Sequence, residues 1–187
     1  MGNNSERQSK QETSGLINSE WIHKGRIISL RMDTFKLEDG SSIKREIVVH
    51  PGAVVMIPVA PDGDLFLVKQ WRRAAQKILI ELPAGTLEEN ESPEACAHRE
   101  LQEEIGYKAK NLISFGKFFS APGFCNELLH LYLATDLIES SLKGEDTDEI
   151  DILKISMEKA LSMIDNLEIW DAKTIAGILK YHRWLQR

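Results

Sequence analysis

The stretch GTLEENESPEACAHRELQEEIGY, residues 85 to 107, specifies its own secondary structure and then loads it with charge that any fold must answer. Ser92 is a good N-cap, Pro93 suits the first helical position, Glu94 favours the positive end of the helix dipole, and Gly106 stops the helix. The spacing predicts a helix of about three turns over residues 93 to 105, entered from a loop. Seven carboxylates lie in the stretch, and Glu100, Glu103 and Glu104 fall at i, i+3 and i+4, on one helical face. Three like charges that close repel, so a positive partner is expected. Hard, clustered oxygen donors are what Mg²⁺ or Mn²⁺ selects, and Mg²⁺ takes a few carboxylates plus phosphate oxygens in preference to a full protein cage. On spacing alone, however, a solvated acidic face with Arg99 and Lys108 nearby is the simpler reading of the three glutamates.

The rest of the chain bounds the partner. At 187 residues and 42% hydrophobic, it suits one domain with an appendage and a sizeable core. A net charge of -6 argues against a nucleic-acid backbone as main partner, because phosphate neutralisation needs a basic face. Cys96 and Cys125 have no CxxC-type spacing and read as reduced thiols of a cytoplasmic protein. The opening MGNNSERQSKQETSG has no apolar targeting region, and it departs from a myristoylation pattern at Glu6. The longest strongly apolar run, residues 53 to 60, is too short to span a bilayer, so no membrane role is expected.

Three parts follow along the chain. Residues 1 to 16 read as a disordered tail. Residues 17 to 50 alternate apolar and polar, with Asp39-Gly40 as a turn between two β-rich runs, which predicts an N-terminal antiparallel β-hairpin or small sheet. From residue 51, AVVMIPVA and LFLVKQW read as core strands, LISFGKFFSAPGF and LLHLYLATDL as further strands around Ala121-Pro122-Gly123, and GEDTDEID as an acidic loop. Helices are expected at roughly 156 to 165 and 171 to 186, where Ile175, Ile178, Leu179 and Leu185 share a face. Sheets and helices sharing one core make this an α/β chain.

The wider pattern around the glutamates is more specific than their spacing. Gly85, five residues, Glu91, seven residues, Arg99-Glu100-Leu101, one residue, Glu103-Glu104, one residue, Gly106-Tyr107 resembles in full the signature box of the Nudix hydrolases. The resemblance spans about residues 20 to 187 and implies an α/β/α sandwich with the N-terminal sheet appended, and Mg²⁺-dependent, or Mn²⁺-dependent, hydrolysis of a nucleoside diphosphate linked to another moiety. It implies metal ligation by the Ala84 carbonyl, Glu100 and Glu104, with Glu103 sharing or bridging through water. Gly85, Glu91, Arg99 and Gly106 become structural positions of the box. A glycine at 85 lets the backbone turn tightly beside a ligand. Arg99 points about 100° away from Glu100 on the helical wheel, so it is expected to pair with Glu91 or another carboxylate and hold the loop, not to touch phosphate.

Surroundings narrow the substrate. Pro122, sixteen residues beyond Gly106, with KQWRRAAQKILIELPAG before the box and EIWDAKTIAGILKY near the end, is similar to the ADP-ribose pyrophosphatase group. That resemblance implies a homodimer with a swapped N-terminal sheet and a small nucleotide sugar as substrate. Arg45, Glu46, Arg72 and Phe124 become candidate substrate contacts, Arg72 as a bidentate phosphate clamp. Ile27 stands where some relatives place an aromatic, which leaves Trp21 or Phe124 to meet the base and keeps other nucleoside diphosphate sugars open. The general base of the group is a loop glutamate; Glu149 is the choice here, with Asp148 and Glu145 as alternatives, and Glu103 is counted with it among the catalytic residues. The rival readings are a non-hydrolysing ligand sensor of the same fold and a hydrolase of dinucleoside polyphosphates or other nucleotides.

Overall fold

The computed structural model describes residues 4–144 and 150–187, and the chain divides into two units. The first comprises residues up to 51 together with 121–127. Its strands β1 (Leu16–Lys24), β2 (Ser29–Lys36) and β3 (Ser42–Val49) form one antiparallel sheet in that order. β2 and β3 are the two β-rich runs, joined through Asp39-Gly40, where Gly40 takes a φ of 85° that a side chain would resist. β1 adds a third strand that begins inside the expected tail, and all nine of its residues are exposed, Leu16, Ile17, Trp21 and Ile22 among them.

The described part of that expected tail is largely helical. Residues Asn4–Ser14 form helix α1, with no residue buried. Composition reasoning finds too little apolar surface there to order the chain. Polar ties supply the order instead: Gln8 donates to Glu12 at 3.0 Å, Arg7 pairs with Glu38 at 2.8 Å and Arg45 with Glu12 at 3.1 Å. Segment 121–127 joins the end of β3 through Val48 N donating to the Phe124 carbonyl at 2.8 Å. Asn126 N donates to the Val48 carbonyl at 3.2 Å, and His50 N to Asn126 Oδ1 at 2.8 Å.

The second unit holds residues 52–120 and 128–187. Its described elements run β4 (Ala53–Pro58), β5 (Leu65–Arg72), β6 (Lys77–Glu81), β7 (Ala84–Thr86), α2 (Pro93–Glu104), β8 (Tyr107–Phe119), β9 (Leu128–Glu139), β10 (Asp151–Ile155), α3 (Met157–Asp165) and α4 (Ala172–Leu185). One sheet has the order β7-β4-β9-β8, with β4 parallel to β9 and the other pairings antiparallel; the second has the antiparallel order β10-β5-β6. All six residues of β4 are buried, which explains its unbroken apolar run. Successive side chains of a strand point to opposite faces, so β4 serves two cores at once. Val54 and Met56 cluster with Cys96, Ala97 and Leu101 of α2. Val55 and Ile57 cluster with Ala160 and Met163 of α3 and Ile178 and Tyr181 of α4. Helices therefore cover both faces, giving the α/β/α sandwich the resemblance implied. Each fully buried aliphatic side chain, such as Ile57 or Leu101, contributes about 1.5–3 kcal/mol.

Caps set the helix borders. Ser92 Oγ accepts from Ala95 N at 3.2 Å, Ser156 Oγ from Lys159 N at 3.1 Å, and Asp171 Oδ2 from Thr174 N at 2.9 Å. Among the described residues, no helix is long and apolar enough to cross a membrane.

Candidate active site

The signature box folds as β7, a loop and α2, and its charges are organised around one cation. Arg99 forks onto Glu91, donating from Nε and Nη2 at 2.9 Å each. Its Nη1 donates to Glu100 Oε1 at 2.7 Å and to Glu103 Oε2 at 3.1 Å. The expectation that Arg99 points away from Glu100 is thus corrected. A helical wheel gives the direction of Cβ, whereas a guanidinium on a long stem reaches neighbours at i+1 and i+4 alike. Glu91 also accepts from Glu88 N at 3.1 Å, which closes the loop onto the helix.

The three glutamates of the shared face have different partners. Glu100 and Glu103 share Arg99, while Glu104 Oε2 turns toward β7 and accepts from Ala84 N at 3.0 Å. Among the described residues, no three His, Cys, Asp or Glu side chains converge as a ready metal cage. Glu100 nevertheless lies tight against Gly85: a Cβ there would fall 1.8 Å from the Glu100 carboxyl carbon. Any side chain at 85 would displace Glu100, so glycine is required by close approach.

Electrostatics separates the box carboxylates. Hydrogen bonds from Arg99 hold the Glu91 carboxyl down to about 2. Removal from water pushes Glu104 up to about 8, reinforced by the neighbouring Glu100 charge. Glu100 is also raised, burial outweighing the attraction of Arg99. Two adjacent carboxyls whose charges are resisted by desolvation and by each other fit a divalent cation, which supplies the missing positive charge.

A second ionic assembly lies at the end of β6. Glu81 is 1% exposed, and Arg72 forks onto it from Nε and Nη2 at 2.7 Å each. Lys173 Nζ contacts the same carboxylate and lies 3.0 Å from Asp171. Asp171 accepts from Thr174, whose Oγ1 in turn accepts from Leu82 N at 2.7 Å. Burial raises the Glu81 carboxyl, but Arg72 and Lys173 outweigh it and its pKa lies below the usual value. The two assemblies adjoin along the backbone, Leu82 N being held by Thr174 and Ala84 N, two residues on, by Glu104, and the charges of Arg72 and Lys173 favour the ionised form of Glu104.

The family model of the NUDIX domain matches residues 49–178. The chain belongs to the NUDIX family. The ADP-ribose pyrophosphatase of Bacillus subtilis (strain 168) is 41% identical over 164 residues, covering 87% of this chain and 89% of that protein. The methanol dehydrogenase activator of Bacillus methanolicus is 38% identical over 164 residues, again covering 87% and 89%. A solved structure described as an ADP compounds hydrolase superposes with a TM-score of 0.82 at 21% identity, over 91% of this chain and 93% of that one, and shows a shared fold.

The other expected residues of this NUDIX chain are dispersed. Arg45 and Glu46 lie on β3 and Phe124 in segment 121–127, all in the first unit; Arg45 is engaged by Glu12, and Phe124 is 58% exposed. Glu145, Asp148 and Glu149 lie outside the described residues. The chain on either side of them is placed: Leu142, Lys143 and Ile150 line an open cleft of about 560 Å³ together with Glu103 and Glu104. Glu81, Asp171 and Lys173 were not expected in the NUDIX site. One signal pointed to the first: a lone acid inside the apolar run KILIELPAG is costly to bury without a cation.

Proposed function

We propose that this NUDIX enzyme hydrolyses the pyrophosphate bond of ADP-ribose, or of a related nucleoside diphosphate sugar, releasing a nucleoside monophosphate and a sugar phosphate. ADP-ribose gives AMP and ribose 5-phosphate. The observation that carries the reading is the pairing of Glu100, packed on Gly85, with a raised Glu104 beside the Arg72 fork. That is a cation-seeking carboxylate pair next to a phosphate-seeking guanidinium. Relatives named ADP-ribose pyrophosphatase at 41% and 35% identity support the substrate class.

Glu100, Glu104 and the Ala84 carbonyl would hold Mg²⁺ or Mn²⁺, with Glu103 reaching the site through water. When bound, the cation neutralises diphosphate charge and activates the attacking water. Arg72 orients the diphosphate through its Nη1 edge, which has no partner among the described residues. Glu149 takes the proton from water, Asp148 and Glu145 being the alternatives. What supports a base from this loop is that its stems line the cleft with Glu103 and Glu104. Arg45 and Glu46, on the swapped N-terminal sheet, are assigned to the base and diphosphate bound by the other subunit of the dimer, and Phe124 to the base. The test is release of mononucleotide from ADP-ribose, GDP-mannose, UDP-glucose and diadenosine polyphosphates, with Mg²⁺ and with chelator. Turnover strongest for ADP-ribose, abolished by chelator and by Glu149→Gln, is the expected result; no turnover of any would leave a ligand sensor.

Assembly as a cytoplasmic homodimer through the N-terminal sheet belongs to the same reading. An edge strand with exposed Leu16, Ile17, Trp21 and Ile22 is a poor surface for an isolated chain. Sedimentation should give twice the chain mass at micromolar concentration, and a monomer throughout would remove the dimer.

A further inference from the structure

The Glu81 carboxylate is almost sealed from solvent, carries the fork of Arg72 and is backed by Lys173. We propose that Glu81 is the positioning residue for Arg72, held in turn by Lys173 and Asp171, so that this four-residue network sets the direction in which Arg72 meets the diphosphate. The proposal rests on the role given to Arg72 above and adds three residues that the signature box does not contain.

The geometry supports it at each link. An arginine at the end of a strand carries about 2 kcal/mol of rotamer entropy that must be lost before it binds anything in one orientation. Engaging Nε and Nη2 on one carboxylate fixes both the guanidinium plane and the edge it presents. A single cation would leave Glu81 an expensive buried charge, because desolvation of a carboxylate is repaid only by close and complete partners. Lys173 supplies the second partner, and Asp171, 3.0 Å from it, fixes the lysine. Two cations and two anions make the network neutral, so its effect on a diphosphate depends on where the Arg72 edge points. Asp171 also caps α4 and anchors Thr174, whose Oγ1 receives Leu82 N. The same network thereby pins the backbone two residues before Ala84, the residue whose amide holds Glu104.

The test is a double-mutant cycle on the full chain, with kcat/KM for ADP-ribose and the Mg²⁺-induced shift in Tm measured on every variant. Glu81→Gln and Arg72→Met should each lower kcat/KM roughly 10- to 100-fold, the range for one charge-assisted contact. The double variant should fall within about twofold of Arg72→Met, because a positioning group has nothing left to position. Lys173→Arg, which keeps the second cation on Glu81, should lose far less activity than Lys173→Met, and all variants should keep the Mg²⁺ shift. Equal losses from Glu81→Gln in both backgrounds would mean a purely structural role and would overturn the inference. Unchanged kcat/KM in Glu81→Gln, with loss in Arg72→Met, would overturn it while leaving the clamp standing. Wild-type turnover by Arg72→Met would instead remove the clamp. Should Glu81→Gln fail to fold, Lys173→Met carries the same cycle, with a loss expected only where Arg72 is present.

Discussion

Glu104→Gln is expected to lose at least about a hundredfold in turnover while folding normally and, without metal, standing up better to alkaline conditions than the parent chain. The amide keeps an oxygen to accept from Ala84 N, so the local backbone should survive. What goes is a charge the protein resists. The folded Glu104 carboxyl titrates at about 8 against 4.5 for an ordinary glutamate, so folding favours its protonated form. That contribution is complete below pH 4.5, declines as pH rises and is gone above about 8, at on the order of 1.4 kcal/mol for each pH unit of the window. Calorimetry of the metal-free protein between pH 5 and about 8.5 should show Tm falling, with a shallower fall in Glu104→Gln. Mg²⁺ should restore the wild type at the alkaline end and leave the variant unmoved. An equal response of both proteins to Mg²⁺ would remove Glu104 from the ligand set.

Arg99→Met should be the most destabilising change in the box. It strands Glu91, Glu100 and Glu103, none more than 18% exposed, and breaking a partly enclosed pair by removing one partner costs roughly 3–5 kcal/mol. In a chain of this size that is a Tm lower by roughly 10 °C. The pH dependence runs opposite to that of Glu104. Glu91 is held at about 2, below its unfolded 4.5, so its contribution is present above pH 4.5 and lost as pH falls toward 2. The deficit of Arg99→Met relative to wild type should therefore shrink over that acid range. A deficit independent of pH would mean that packing of the arginine stem, and not its pairing with Glu91, is what stabilises the loop.

Local rules carried much of this fold. Ser92, Pro93 and Gly106 bound α2 because capping is decided by adjacent residues, and the unbroken run at β4 shows because both of its faces are buried. The spacing of the box residues was legible for the same reason. Contacts distant along the chain were not. Glu81 meets Arg72 nine residues earlier and Lys173 92 residues later, a convergence no window of sequence displays. The division of the glutamates, two to Arg99 and one to Ala84 N, depends on how far a guanidinium reaches and where β7 runs. Helix α1 escaped because its order comes from polar ties to Glu38 and Arg45, which hydrophobicity does not register.

Segment 121–127 belongs by its contacts to the first unit, although it lies in the chain between β8 and β9 of the second. A polypeptide emerging from the ribosome completes β3 at Val49 but must wait for Phe124 before Val48 N finds its acceptor. At roughly 5–20 residues per second that interval is about 4–15 s, long compared with the microseconds in which a hairpin forms. The end of β3 spends it with an open edge, a period in which nascent chains on neighbouring ribosomes can pair with it. The two units are for the same reason not separable cassettes: a cut after residue 51 would take from the first its final hydrogen-bonding segment and leave that segment as an orphaned hairpin loop in the second.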